Sequence, residues 1–332
     1  FPLYGKAIQA SQPRYGRLPS ELHGVSRDPV WRLGCNSSGL FIRFRSDSPF
    51  ISARWKVKSV SGMNHMTDTG VSGLDLYALK DGEWRFAGSG RPARKVENTV
   101  TLVKDMDGSM REYILYLSLY NSVEELQIGI LEGKTLEGPA VEYPSRNKKI
   151  VMYGTSILQG GCASRPGMAH TSIIGRMLGH EVINLGFSGN GRLDYEIARL
   201  MTQVEDPGVF VLDNVPNCEA DLIKEKEETF FRILRDECPD VPIVFVENAV
   251  YPHTVFNKVF EKNLIERKAA HRAVYDKMKK AGEKKIFYIE AGELLGDNGE
   301  DTVDGVHFTD MGMTHYAEAV APVIRKALKK NK

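Results

Sequence analysis

Apolar and polar residues alternate with period two from residue 39 to about residue 131. In the stretch 51–58, Ile51, Ala53, Trp55 and Val57 fall on one face, and Ser52, Arg54, Lys56 and Lys58 on the other. Successive side chains of a strand point to opposite faces, so this pattern predicts a half-buried antiparallel strand. Segments 40–45, 74–79, 84–87, 99–103, 111–119 and 126–131 predict further strands, separated by turn signals at Ser48-Pro49, Asp81-Gly82 and Asp107-Gly108. Several short strands at this spacing predict an all-β sandwich or jelly roll.

The period changes across residues 132–147, a stretch with two prolines and two glycines, which places a domain boundary near Tyr143 and gives domains 1–143 and 144–332. Beyond it, short runs at 150–153, 182–187, 209–212, 243–246 and 286–289 alternate with helical stretches at 168–178, 193–204, 220–234, 257–281 and 311–328. The runs are apolar throughout, as in strands covered on both faces. A βαβα order predicts an α/β domain with a parallel sheet between helices.

Composition narrows the partners. The chain has 332 residues, 42% hydrophobic and 26% charged, which suits two ordinary globular domains. Lysine plus arginine total 44 against 43 for aspartate plus glutamate, and the net charge of +1 gives no footprint for nucleic acid or an anionic membrane. No apolar run reaches membrane-spanning length, so a small or neutral ligand is expected. Cys35, Cys162, Cys218 and Cys238 show no CxxC or Cys/His ligand spacing, so neither a zinc site nor a disulfide framework is indicated. A start at Phe1 rather than Met fits a trimmed or mature chain.

Candidate chemistry gathers after the carboxyl ends of the predicted parallel strands, where open α/β sheets place their ligands. After the first, Gly154-Thr155-Ser156 ends a strand with a serine that is either a nucleophile or a helix cap. After the second, Gly189 lies in a glycine-containing turn whose amides can approach a reacting group without a side chain intervening. After the third, Asp213-Asn214-Val215-Pro216-Asn217 offers either turn formers or amide donors to an oxyanion. After the fifth, Asp304 stands three residues ahead of His307, so its carboxylate can fix the imidazole tautomer and leave Nε2 to take a proton from a serine.

These four blocks, in this order, resemble those of the SGNH hydrolases, the GDSL-type esterases and lipases. Ser156 matches the nucleophile, Gly189 the oxyanion glycine, Asn217 the oxyanion asparagine, and Asp304 with His307 the DxxH pair. The resemblance implies a flavodoxin-like three-layer domain, sheet order 2-1-3-4-5, and ester hydrolysis without metal or cofactor. It assigns Ser156, Asp304 and His307 to a catalytic triad and the Ser156 amide, the Gly189 amide and the Asn217 side chain to the oxyanion hole. Two departures stand out: Thr155 replaces the Asp of GDS, and Asn214 and Asn217 compete for the oxyanion role. Asn217 is preferred because a divergent branch reads Asp-x-x-Pro-Asn here, and Pro216 fixes the backbone just before it. That branch also carries an N-terminal β-domain with a GxDLY motif, matched by Gly73-Leu74-Asp75-Leu76-Tyr77. Its members are bacterial and commonly exported, which implies a periplasmic or secreted protein.

The expected activity is removal of short acyl groups, acetyl first, from carbohydrate. Met63-Asn64-His65-Met66 and Trp84 offer a sugar-lining or a core role. Competing readings are a thioesterase or lysophospholipase, a flavin- or phosphate-binding module that uses the Thr/Ser/Gly loop at a helix N-terminus, and a non-catalytic carbohydrate-binding protein.

Overall fold

The computed structural model describes residues 1–144 and 146–331. The expected linker, 132–147, contains Ser145, and the second domain ends on Lys332; both residues lie outside the described ones.

The alternating segments form two antiparallel sheets. One runs in the order Leu3–Tyr4, Phe41–Ser46, Arg111–Tyr116, Leu74–Lys80, Glu83–Gly90, with Leu136–Glu137 also paired to Phe41–Ser46. The other has Ile51–Val57 between Glu97–Val103 and Val123–Gly129. Ile51, Ala53, Trp55 and Val57 point inward and share one core with Phe44, Leu74, Leu76 and Leu115 of the facing sheet. The Trp55 indole N–H, buried with its ring, donates to the Ser72 carbonyl at 3.0 Å, so the large side chain leaves no orphaned donor.

Arg146–Gly154, which begins inside the stretch expected as linker, lies at the centre of a five-stranded parallel sheet between His180–Gly186 and Pro207–Asp213, followed by Ile243–Val246 and Ile286–Ile289. The order is 2-1-3-4-5. Alternate residues of each strand enter two different cores. Val151, Tyr153, Phe210 and Leu212 meet the helices Tyr195–Thr202, Ala220–Glu237 and Lys258–Lys280. Ile150, Met152, Val209 and Val211 meet His170–Leu178 and Asp310–Leu328. Both strand faces are covered, which is why these runs are apolar rather than alternating. Among the described residues no helix is long and apolar enough to cross a membrane.

The first 38 residues depart from the sequence reading, which placed no element there. They contain a helix, Asp28–Gly34, and Ala7, Leu18 and Val30 pack into a core of the parallel sheet rather than into that of the β-sandwich. Arg17 is buried, and its guanidinium donates to the carbonyls of Asn184 at 3.1 Å, Gly186 at 2.6 Å and Leu33 at 2.7 Å. A buried cation persists only when its donors are matched in this way.

The GxDLY stretch splits by strand parity. Leu74 and Leu76 enter the β core, while the Asp75 carboxylate accepts from Arg165 at 2.7 Å and from the Gly167 amide at 2.8 Å. The Tyr77 hydroxyl accepts from the same guanidinium at 2.8 Å.

Candidate active site

The strand Arg146–Gly154 delivers Ser156 to the carboxyl edge of the sheet, where Gly154 is paired with Gly186 on one side and Asp213 on the other. Thr155, the residue that replaces the expected Asp, caps the short helix Ser156–Gln159 by accepting from the Ile157 amide at 3.3 Å. The helix stops at Gly160, whose φ of 113° needs glycine. Ser156 is buried, and its carbonyl accepts from the Tyr120 hydroxyl at 3.0 Å.

Three residues from distant segments meet in a line. The Ser156 Oγ lies 2.9 Å from His307 Nε2, and His307 Nδ1 lies 2.7 Å from Asp304 Oδ2. Burial raises the Asp304 carboxyl, but bonds from the His307 amide, the His307 ring and the Val306 amide outweigh it and hold the group at about 2. An ionised carboxylate only accepts, so Nδ1 carries the hydrogen and Nε2 is left to accept from the Ser156 hydroxyl.

Gly189 faces the same pocket with φ +66°, a left-handed conformation that glycine adopts without strain, and nothing stands within 4 Å of where a side chain would begin. The two asparagines of the third block part company. Asn217 ends a turn, Val215–Asn217, and lines the pocket; its Oδ1 accepts from the Gly191 amide at 3.1 Å, which leaves Nδ2 as the free donor. Asn214 is fully buried on the other side of the strand end, where its Nδ2 donates to the Glu227 carboxyl at 3.2 Å. Glu227 is in turn bonded to His271 Nδ1 at 2.9 Å.

The pocket that gathers Ser156, Gly189, Asn217 and His307 encloses about 330 Å³ and is walled by Tyr251 and Phe260. Arg267 also lines it but is paired with Glu219, 3.1 Å from Nε to Oε2.

Sequence reasoning missed several supports of this arrangement. A Cβ on Gly191 would sit 2.4 Å from the Gly154 carbonyl, so glycine there lets the second loop close onto the nucleophile loop. The signal was present in its spacing two residues after Gly189. Gln159 Oε1 accepts from the Ser188 amide at 3.1 Å, and Arg27 clamps the second loop through Asp194 at 2.6 Å and Asn190 at 2.9 Å. No local pattern marks either residue. Trp84, offered as a sugar contact, is packed beside Tyr143 with Arg43 over its ring, away from the residues that line the Ser156 pocket. Met66 is buried in the same core as Cys162, and its neighbour His65 reaches the site itself, its ring 5.2 Å from that of His307.

A family model of the GDSL-like lipase/acylhydrolases matches residues 147–325, and a model of the GxDLY N-terminus of SGNH-hydrolase-type esterases matches residues 1–136. The chain belongs to the GDSL-like lipase/acylhydrolase family. Membership makes this GDSL-like protein a carboxylic ester hydrolase. It is 34% identical to a candidate GDSL-like lipase from Bacteroides ovatus, over 98% of this chain and 95% of that one, with a TM-score of 0.93. A salicylyl-acyltransferase from a tetracycline biosynthetic pathway shares the fold at 19% identity, covering 96% and 92% of the two chains, TM-score 0.73. A family two carbohydrate esterase from Cellvibrio japonicus shares it at 14% identity, covering 89% and 90%, TM-score 0.59. No curated protein matched the chain.

Proposed function

We propose that this GDSL-like hydrolase removes short acyl groups, acetyl first, from carbohydrate through an acyl-enzyme on Ser156. The observation that carries the reading is the unbroken relay from Ser156 Oγ through His307 to Asp304, opening on the pocket that also holds Gly189 and Asn217. His307 Nε2 takes the Ser156 proton as Oγ attacks the ester carbonyl, and Asp304 holds the imidazolium that forms. The carbonyl oxygen, now an oxyanion, is met by the Ser156 amide, the Gly189 amide and Asn217 Nδ2. Collapse expels the alcohol, which takes the proton from His307. Water, deprotonated by the same nitrogen, then releases the carboxylic acid and restores Ser156.

The pocket, about 330 Å³, lies at the small end of ligand sites and favours a short acyl chain. Pairing of Arg267 with Glu219 removes the reason to expect an anionic substrate. Sugar as the alcohol is supported by the carbohydrate esterases among the fold relatives. A flavin- or phosphate-binding module would have no use for the Asp304–His307 pair. The test is a chromogenic ester panel of increasing acyl length followed by acetate release from acetylated polysaccharides. Acetyl esters should turn over fastest; a rate that climbs through C8 and longer esters, or no hydrolysis at all, overturns the reading.

A further inference from the structure

Three potential metal ligands converge beside the relay. His65 comes from the β-domain, Cys162 from the loop after the nucleophile helix and His307 from the last loop, and one ligand atom of each lies within 4.8 Å of the others. The spacing of cysteines and histidines along the chain gave no hint of this, because the tertiary fold alone brings these segments together.

Both imidazoles are prepared in the same way. His307 Nδ1 donates to Asp304 at 2.7 Å, and His65 Nδ1 donates to Asn64 Oδ1 at 3.0 Å, so each ring carries an unprotonated Nε2, that of His307 accepting from Ser156 Oγ at 2.9 Å until an ion displaces that bond. A carboxylate or amide oxygen behind Nδ1 is the arrangement that orients metal-bound histidines and raises their basicity. The tautomer that makes His307 a proton acceptor therefore makes it a metal ligand too. Cys162 is buried and its sulfur faces these rings rather than another cysteine.

We propose that His65, Cys162 and His307 bind a divalent transition ion such as Zn²⁺, and that the bound ion switches hydrolysis off. Two imidazoles and a sulfur select a borderline or soft ion over Mg²⁺ or Ca²⁺, which take oxygen ligands. In a tetrahedral zinc site donor atoms sit roughly 3.3–3.8 Å apart, given bonds of about 2.0–2.3 Å, so the cluster needs a closing movement of about 1 Å. His65 supplies it, standing half-exposed on the loop ahead of the helix Asp68–Ser72. The thiol proton leaves to solvent as sulfur takes the ion. The fourth position falls to water or to Ser156 Oγ, 2.9 Å from His307 Nε2. Silencing rests on the reading of His307 as the base, because the ion occupies the lone pair that would accept the serine proton; binding does not.

The experiment titrates the full chain with ZnCl₂ while following p-nitrophenyl acetate hydrolysis, for the wild type, His65→Ala and Cys162→Ala, each against its own zinc-free rate. Both variants should keep near-normal zinc-free turnover and need at least about tenfold more zinc for half-inhibition, since each loses a ligand. EDTA should restore the wild-type rate. Co²⁺ in place of zinc should give a near-ultraviolet thiolate-to-cobalt band that disappears in Cys162→Ala and persists in Ser156→Ala. Absence of that band, or equal zinc sensitivity in all three proteins, overturns the site. Hydrolysis surviving in Ser156→Ala overturns the catalytic reading instead and leaves the cobalt result to stand on its own.

Discussion

Replacing Asn217 with alanine removes one N–H donor and leaves the Ser156, His307 and Asp304 relay untouched. Asn217 Oδ1 is held by the Gly191 amide at 3.1 Å, so the amide plane is fixed and Nδ2 is the group that remains for the pocket. A fixed donor aimed at a developing oxyanion contributes far more to the transition state than to the bound ester, because the charge it meets forms only during attack. Loss of one such donor costs about 2.7–4 kcal/mol of barrier, a fall in kcat of roughly a hundred- to a thousandfold at nearly constant KM. Asn217→Asp sharpens the test: it keeps an acceptor for Gly191, removes the donor and sets a negative charge against the oxyanion, so it should be at least as slow. Asn214→Ala should behave oppositely. It strips a hydrogen bond from the buried Glu227 carboxyl at 3.2 Å, which costs on the order of 2 kcal/mol and about 4–8 °C in Tm, with kcat largely kept. Steady-state kinetics and thermal melts on the three purified variants decide it. A turnover defect in Asn214→Ala with Asn217→Ala close to wild type would refute the assignment of the oxyanion donor.

Ser156→Ala and His307→Ala should each lower kcat by several orders of magnitude with folded melting curves, and Asp304→Asn by less; a variant of Ser156 within about tenfold of wild type would remove it from the mechanism. Because the Asp304 carboxyl is held at about 2, it stays ionised through the acid range in which the protein would be assayed, so kcat/KM lost between pH 4 and 7 must track another group. Gly191→Ala should destabilise the site loops and abolish turnover, since its Cβ would sit 2.4 Å from the Gly154 carbonyl; an active, unshifted variant would show that the loops do not need that approach. Burial raises the Asp213 carboxyl from 3.8 to about 7, so the folded state keeps its proton where the unfolded chain has lost it. Stability from this group is therefore complete below about pH 4 and lost as pH rises to about 7, on the order of a few kcal/mol. Asp213→Asn should flatten that slope in urea melts at pH 5 and 8, and an unchanged slope would count against a buried, protonated Asp213.

The parallel sheet was legible because both of its faces are covered, so each strand announces itself as an uninterrupted apolar run ending in a loop with chemistry in it. The three-stranded sheet around Ile51–Val57 was legible for the opposite reason, one face wet and one dry, whereas Phe41–Ser46 and Arg111–Tyr116 of the facing sheet are buried on both faces. Residues 1–38 carried neither signal. Their attachment depends on charged side chains that hydropathy reads as exposed: Arg17 spends its donors on backbone carbonyls, and the Lys6 ammonium is caged by the carbonyls of Pro13 at 2.8 Å and Arg14 at 3.0 Å. Buried cations satisfied by backbone leave no periodic trace. The two asparagines show a related limit. Three residues apart after a strand, Asn214 and Asn217 look alike in sequence, and only the direction each side chain takes from the strand end separates a core partner of Glu227 from a pocket donor.

The β-domain is built into the site rather than appended to it. Asp75 and Tyr77 of the GxDLY stretch seize Arg165 and the Gly167 amide, two points on the loop that continues from Cys162. That loop is tied from its other side to the segment carrying the histidine: the Cys162 amide donates to the Phe308 carbonyl at 3.1 Å, and the Ser164 amide to Asp310 at 2.8 Å. Tyr120, also from the β-domain, donates to the carbonyl of Ser156 itself. Nucleophile and base come from segments about 150 residues apart, and their 2.9 Å contact depends on two loops holding register with each other. An ion pair and backbone bonds anchored on a sandwich with its own core hold that register more firmly than the loops would alone, because shifting the loop would strand Asp75, fully buried, without its partners. The motif that marks this branch of the family thus acts on the relay at one remove, by fixing the loop between its two ends.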